Sequence, residues 1–211
     1  TGASSGIGQA LAMHYAAQGW HLALVARRES AIQAWLGASG ICADTYQIYS
    51  ADVTDIAGMQ RLALDCMARQ GVPEVVIANA GISIGVDTAL PEDLAVMARV
   101  LATNVMGVAA TLGPFVSAMR LRGSGTLVGI GSVAGIRGLP GHGAYCASKA
   151  AVISYCESLR GGLCGSGVQV VTLCPGYIAT PLTQNYGYTM PFLMQPEAFA
   201  AQAFRAIAAG V

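Results

Sequence analysis

Tyr145 and Lys149 stand four places apart in the stretch Tyr-Cys-Ala-Ser-Lys, and Lys149 is the only lysine in a chain that otherwise carries its positive charge on ten arginines. A lysine in such a background marks a position where a compact ammonium on a flexible stem serves and a planar guanidinium does not. On a helix, residues four apart share a face, so this ammonium sits beside the phenol. A neighbouring positive charge favours phenolate over phenol and draws a tyrosine down from its ordinary pKa of about 10. The chemistry such a pair can do is proton donation and abstraction near neutral pH. Tyr-x-x-x-Lys also arises freely by chance as a surface lysine one turn from a core tyrosine, so the reading depends on the elements around it.

Those elements alternate. Short β-branched apolar runs fall at 21–27, 45–50, 74–79, 125–132 and 168–174, and helix-compatible stretches at about 6–18, 29–38, 55–69, 91–120, 143–162 and 196–209. Strands separated by helices of this length imply right-handed crossovers and a parallel sheet. The strand runs are almost continuously apolar, as strands covered on both faces are. The expected fold is α/β, a doubly wound parallel sheet of Rossmann type in three α/β/α layers, forming a single domain over residues 1–211. The glycine turn at Thr1 should leave a strand, yet no strand precedes it in this sequence. A first, central strand upstream and a last strand downstream are therefore expected, with the domain truncated at both ends.

The composition narrows the function. Of 211 residues 54% are hydrophobic and 10% charged, with a formal net charge of zero, so there is no basic patch for nucleic acid or an anionic membrane surface. Six scattered cysteines without a Cys-x-x-Cys pair, and three distant histidines, give no metal-ligand spacing. They read as reduced thiols of a cytoplasmic protein. The uncharged stretch from Val100 to Met119 is long enough to cross a bilayer. It is interrupted by Asn104, Thr111, Gly113 and Pro114 and flanked on both sides by arginine, so a helix packed within the domain or at a subunit interface is expected instead of a membrane span.

Gly2, Gly6 and Gly8 stand at Gly-x-x-x-Gly-x-Gly spacing before a helix. Glycines there allow a tight turn and let backbone N–H groups approach a pyrophosphate at a helix N-terminus, with Ser4 and Ser5 adding hydroxyls. About twenty residues on, the next strand run ends in Ala26-Arg27-Arg28 where an acidic residue would receive an adenosine ribose. A guanidinium fork at Arg27, assisted by Arg28, suits a 2′-phosphate and favours NADP over NAD. Glu29 is placed to neutralise one of these arginines.

Together these features resemble the short-chain dehydrogenase/reductase family, in its compact single-domain branch, over nearly the whole chain and in collinear order. Thr1-Gly2-Ala3-Ser4-Ser5-Gly6-Ile7-Gly8 resembles the family's cofactor turn, Asp52-Val53 its adenine contact, and Asn79-Ala80-Gly81 its Asn-Ala-Gly turn. Asn104, Ser132, Tyr145 and Lys149 resemble its catalytic asparagine, serine, tyrosine and lysine, and Pro175-Gly176-Tyr177-Ile178-Ala179-Thr180 its nicotinamide-carboxamide loop. One departure is Ser5, where many NADP-preferring relatives carry a basic residue.

The resemblance implies hydride transfer between NADP(H) and a small carbonyl or secondary-alcohol substrate. Tyr145 would be the general acid and base, Ser132 would hold the substrate oxygen, Lys149 would tune the phenol and bind the nicotinamide ribose, and Asn104 would anchor a water chain. It also implies a homodimer or homotetramer. The apolar segment 177–194, with Tyr186, Tyr188, Met190, Phe192, Leu193 and Met194, is a candidate substrate lid. His142 is a candidate substrate contact. The alternatives are an NAD-dependent alcohol dehydrogenase of the same fold and a non-catalytic dinucleotide sensor or scaffold.

Overall fold

The computed structural model describes residues 1–184 and 189–211. Helices and parallel strands alternate as α1 (Gly6–Ala17), β1 (Leu22–Ala26), α2 (Glu29–Ser39), β2 (Tyr46–Ser50), α3 (Ile56–Gln70) and β3 (Val75–Ala78). After them come α4 (Asp93–Leu101), α5 (Gly107–Arg122), β4 (Gly125–Ile130), α6 (Gly143–Gly162), β5 (Val168–Leu173) and α7 (Pro196–Ala209). Local chemistry sets several of the ends. The Asp55 side chain accepts the Gly58 N–H and caps α3, while α5 stops at Gly123 in the left-handed region at φ 76°.

The strands alternate their burial between two helical layers. Val128, Ile130, Val171 and Leu173 pack with β1 against α1 and α7, while Leu127, Val168 and Val170 face Leu112, Phe115, Val152 and Cys156 of α5 and α6. This is the three-layer α/β/α arrangement expected of a parallel sheet buried on both sides.

The sheet is nevertheless not continuous among the described residues. β1 pairs with β2, with Leu22 opposite Tyr46, and β3, β4 and β5 form a second sheet, with Val75 opposite Thr126 and Gly125 opposite Val168. Between β1 and β3 lies a cavity of about 190 Å³ with apolar walls from Leu11, Leu22, Leu24, Val75 and Ile77. Its mouth is bridged by the first residues of the chain. The Thr1 amino group donates to Ile77 O (2.8 Å) and Ala3 N–H to Val25 O (3.2 Å). At the opposite end the Gln70 amide donates to Leu22 O (3.2 Å). Because Thr1–Ala3 reaches both strands at once, the gap is one strand wide.

α4 and α5 are joined by a single π-helical turn at Ala102–Met106, making one helical rod from Asp93 to Arg122. By length and composition this rod is apolar enough to cross a membrane. One face of the rod packs within the domain and the other is exposed. Val100, Asn104, Val108, Leu112, Phe115 and Met119 form the inward face, whereas Leu94 and Met106 lie exposed on the other side.

Candidate functional site

β4 delivers its chain to Ser132, whose extended backbone (φ −172°) turns out of the sheet. Ser132 Oγ accepts the Ala134 N–H (3.1 Å) and starts a short 3₁₀ turn, Val133–Gly135. Glycine at 135 lets that turn press on α6, since a Cβ there would come within 2.7 Å of the Lys149 carbonyl carbon. This contact holds Ser132 opposite the helical turn that carries Tyr145 and Lys149, and all three side chains line one cleft of about 390 Å³.

Lys149 is 5% exposed. Its Nζ lies 5.7 Å from the Tyr145 ring centroid and donates to Ile130 O (2.8 Å), at the end of β4. Burial pulls its pKa down from the ordinary 10.5 to about 8, partly opposed by the nearby Cys174 thiol. The ammonium is thus beside the phenol as the spacing predicts, but it is itself poised to titrate just above neutrality.

Asn104 is fully buried behind the cleft wall. Its Oδ1 accepts the Ile82 N–H (2.8 Å), and its Nδ2 donates to Ile82 O (2.9 Å) and to Ser148 Oγ (2.9 Å). The Ser148 hydroxyl in turn donates to the Tyr145 carbonyl oxygen (2.7 Å). The π turn brings Asn104 to this position, and the asparagine ties α6 to the irregular segment that follows Gly81. Its side chain is therefore engaged with protein, and the cleft is lined next to it by Thr103 and Ile82.

The glycine turn forms the middle of the same cleft. Gly2 (φ 73°) and Gly6 (φ 57°) occupy the left-handed region, and a Cβ on Gly8 would collide with the Gly2 carbonyl oxygen. Gly8 therefore sits behind the turn, whereas Gly2, Ser4, Ser5, Gly6 and Ile7 line the cleft. Asn79 Nδ2 donates to Thr1 O (3.0 Å), which fixes the turn to the end of β3 beside Ala80 and Gly81. Ser5, at the N-cap of α1, makes no side-chain cap bond, so the helix presents its first N–H groups to the cleft.

At the far end Arg27 pairs with Asp52 (3.7 Å) and Arg28 Nη2 reaches Ser4 Oγ (3.4 Å). The Arg27–Asp52 pair is loose and more than a third exposed on both sides, the kind worth less than about 1 kcal/mol. Hydrogen bonds from Thr54 hold the Asp52 carboxyl below the usual carboxylate range. Glu29 does not neutralise either arginine; its carboxylate accepts from Gln33 (2.9 Å). Val53, Pro175, Gly176, Ile178 and Thr180 close the cleft, with Thr180 Cγ2 only 3.1 Å from where a Gly6 Cβ would be.

These residues fit a dinucleotide. A glycine cradle at an uncapped helix N-terminus suits a pyrophosphate, cations stand at one end, and a phenol with a buried ammonium stands at the other. Among the described residues no cluster of three His, Cys, Asp or Glu side chains could hold a metal, and all six cysteines are free. Sequence reasoning missed Ser148, Thr103, Ile82 and the Ile130 carbonyl. Ser148 had one signal, a polar residue within the Tyr145–Lys149 turn; a backbone carbonyl has none.

A parallel α/β/α domain with this cleft defines a dinucleotide-dependent oxidoreductase class. The family model for short chain dehydrogenases matches residues 1–190. The chain is 40% identical over 197 residues to an uncharacterized oxidoreductase of Myxococcus xanthus, covering 92% of this chain and 77% of that one. It is 33% identical over 198 residues to a longer Mycobacterium tuberculosis protein named "Probable oxidoreductase EphD", spanning 32% of that protein's length and 90% of its own. Among solved structures, a short-chain dehydrogenase from Streptomyces avermitilis superposes with a TM-score of 0.87 at 28% identity, covering 98% of this chain and 82% of that one. ElxO, solved with NADP bound, shares the fold with a TM-score of 0.88 at 21% identity, covering 98% and 89%. The chain belongs to the short-chain dehydrogenase family.

Proposed function

We propose that this chain is an NADP(H)-linked oxidoreductase acting on a carbonyl or secondary alcohol, with Tyr145 as general acid and base. The observation that carries the reading is the convergence of Ser132, Tyr145 and Lys149 at one end of a cleft whose other end holds Arg27 and Arg28. A bound nicotinamide supplies the hydride chemistry, which leaves the protein to position the reactants and manage one proton.

In the reductive direction the Tyr145 hydroxyl gives its proton to the carbonyl oxygen as that oxygen becomes an alkoxide; in oxidation it removes the same proton. Ser132 Oγ already accepts from Ala134, so its own hydrogen remains to stabilise the developing charge on that oxygen. Lys149 places a positive charge beside the phenol in a buried setting where screening is weak. Asn104 and Ser148 are positioning residues that hold the Tyr145 turn against Ile82. A carbonyl panel followed by NADPH oxidation tests the activity. No turnover with any compound, alongside normal dinucleotide binding, would favour the non-catalytic sensor.

The Arg27–Asp52 pair favours a second reading, in which an already neutralised arginine leaves the site open to NAD. Replacing the guanidinium separates the two. Arg27→Ala is expected to raise the Kd for NADPH at least tenfold and to change that for NADH less than threefold, measured by calorimetry. Equal effects on both coenzymes would remove the 2′-phosphate assignment.

The segment after the Pro175–Thr180 loop carries exposed apolar side chains, Leu182, which lines the cleft, Leu193, and a 98% exposed Phe192 whose φ is 57°. These residues support the lid reading and an uncharged, apolar substrate; Tyr186 and Tyr188 lie outside the described residues. The exposed apolar side of the Asp93–Arg122 rod supports a homodimer or homotetramer, and the free thiols support a cytoplasmic location. Sedimentation of Met106→Glu should show dissociation if that face is the subunit contact.

A further inference from the structure

We infer that Trp35 is a positioning residue for dinucleotide binding, acting through a single peptide group of the glycine turn. This rests on the dinucleotide reading above and adds a residue outside the cleft to it. Trp35 lies on α2, half-buried, and does not line the cleft. Its indole Nε1–H donates to the Ala3 carbonyl oxygen at 3.0 Å, across 32 residues of sequence.

The geometry of that peptide gives the bond its consequence. A trans peptide is planar, with its C=O and N–H pointing in opposite directions. Drawing the Ala3 carbonyl towards α2 therefore aims the Ser4 N–H away from α2, on the side where Ser4 lines the cleft. The neighbouring peptide is fixed independently, because Ala3 N–H donates to Val25 O (3.2 Å). Flanked by glycines in the left-handed region at positions 2 and 6, this segment has little intrinsic preference for one peptide orientation. Tethers from β1 and α2 supply it.

The same helix makes the tether specific to one end of the cleft. α2 begins directly after Arg27 and Arg28, and Arg28 reaches the hydroxyl of Ser4 itself (3.4 Å). Trp35 thus stands on the helix that the two arginines lead into, and the indole ties that helix to the turn. Ala3 is buried, so its carbonyl has no access to a replacement partner in bulk water. When the indole N–H is removed, the peptide rotates or the carbonyl is left unpaired, and rotation turns the Ser4 N–H out of line.

Trp35→Phe keeps an aromatic ring and removes the donor. Calorimetry with NADPH should show Kd raised about tenfold, with KM for NADPH rising in parallel and kcat at saturating NADPH within twofold of the parent. Trp20→Phe is the control for a general loss of aromatic packing, since Trp20 stacks edge-on against Tyr15 (5.1 Å) and does not line the cleft; its Kd should not move. An unchanged Kd in Trp35→Phe, or a loss confined to kcat, overturns the inference. A parent protein that binds neither NADPH nor NADH overturns the dinucleotide reading instead. If Trp35→Phe does not fold, the Trp20→Phe protein retains a single indole N–H, whose ¹⁵N-resolved resonance should shift on titration with NADPH. A resonance that does not move while NADPH binds overturns the inference equally.

Discussion

Tyr145→Phe is expected to lower turnover by about two to four orders of magnitude, the range that a positioned acid or base supplies. The dinucleotide Kd should stay within threefold. The substitution removes one hydroxyl and keeps the ring that stands 5.7 Å from Lys149 Nζ, so the packing of α6 is preserved and only the proton is lost. Ser132 does not take over, because its oxygen is already held by the Ala134 N–H. Stopped-flow single turnovers with prebound NADPH separate this from a binding defect. A hydride-transfer rate close to that of the parent enzyme would show that another group delivers the proton.

Replacing Lys149 should be nearly as costly for catalysis and opposite in sign for stability. Unfolded, this lysine titrates at its ordinary 10.5; folded, burial brings it to about 8. Between those values the unfolded chain binds more protons than the folded one, so the lysine makes stability rise with pH from about 8 to about 10.5. Below pH 8 the folded protein carries a buried ammonium at a cost on the order of 3 kcal/mol, taking 1.36 kcal/mol per pKa unit. Lys149→Met should therefore raise Tm at pH 7, abolish the rise in stability between pH 8 and 10.5, and reduce turnover at least a hundredfold. The lost hydrogen bond to Ile130 O offsets about 1 kcal/mol of the gain. Lys149→Arg should fail too, since the ammonium sits 3.6 Å from where a Gly81 Cβ would lie and leaves no room for a planar fork. Denaturant titrations from pH 6.5 to 10.5 check the first expectation; a parent curve that is flat across that window contradicts a depressed lysine.

Much of this was legible in the residues because the physics was local. The strand run at 168–174 and the strand Val168–Leu173 agree because a strand buried on both faces must be apolar throughout. Tyr145 and Lys149 meet because helical spacing leaves them no alternative. What could not be read depends on contacts between distant segments. The engagement of Asn104 with Ile82 and Ser148 needs a π turn, and nothing in Ala-Thr-Asn-Val-Met marks one. Asp52 was legible as a cofactor contact; that it receives Thr54 and faces Arg27, while Asp55 caps α3, was not. Trp35 reads as core in any helical pattern, because periodicity registers a ring and is blind to the direction of its N–H.

The gap between β1 and β3 sets how the two halves of the molecule communicate. Among the described residues no ladder crosses the middle; the halves are coupled through α1 against α7 and α3 against α5, and through the short bridge at Thr1–Ala3. β1 and β3 turn open rows of amides and carbonyls toward each other across this gap, so an extended segment lying there would satisfy both together, pairing left and right at once. The glycine turn hangs from the top of that channel, so whatever fills it also stiffens the anchor of the phosphate cradle.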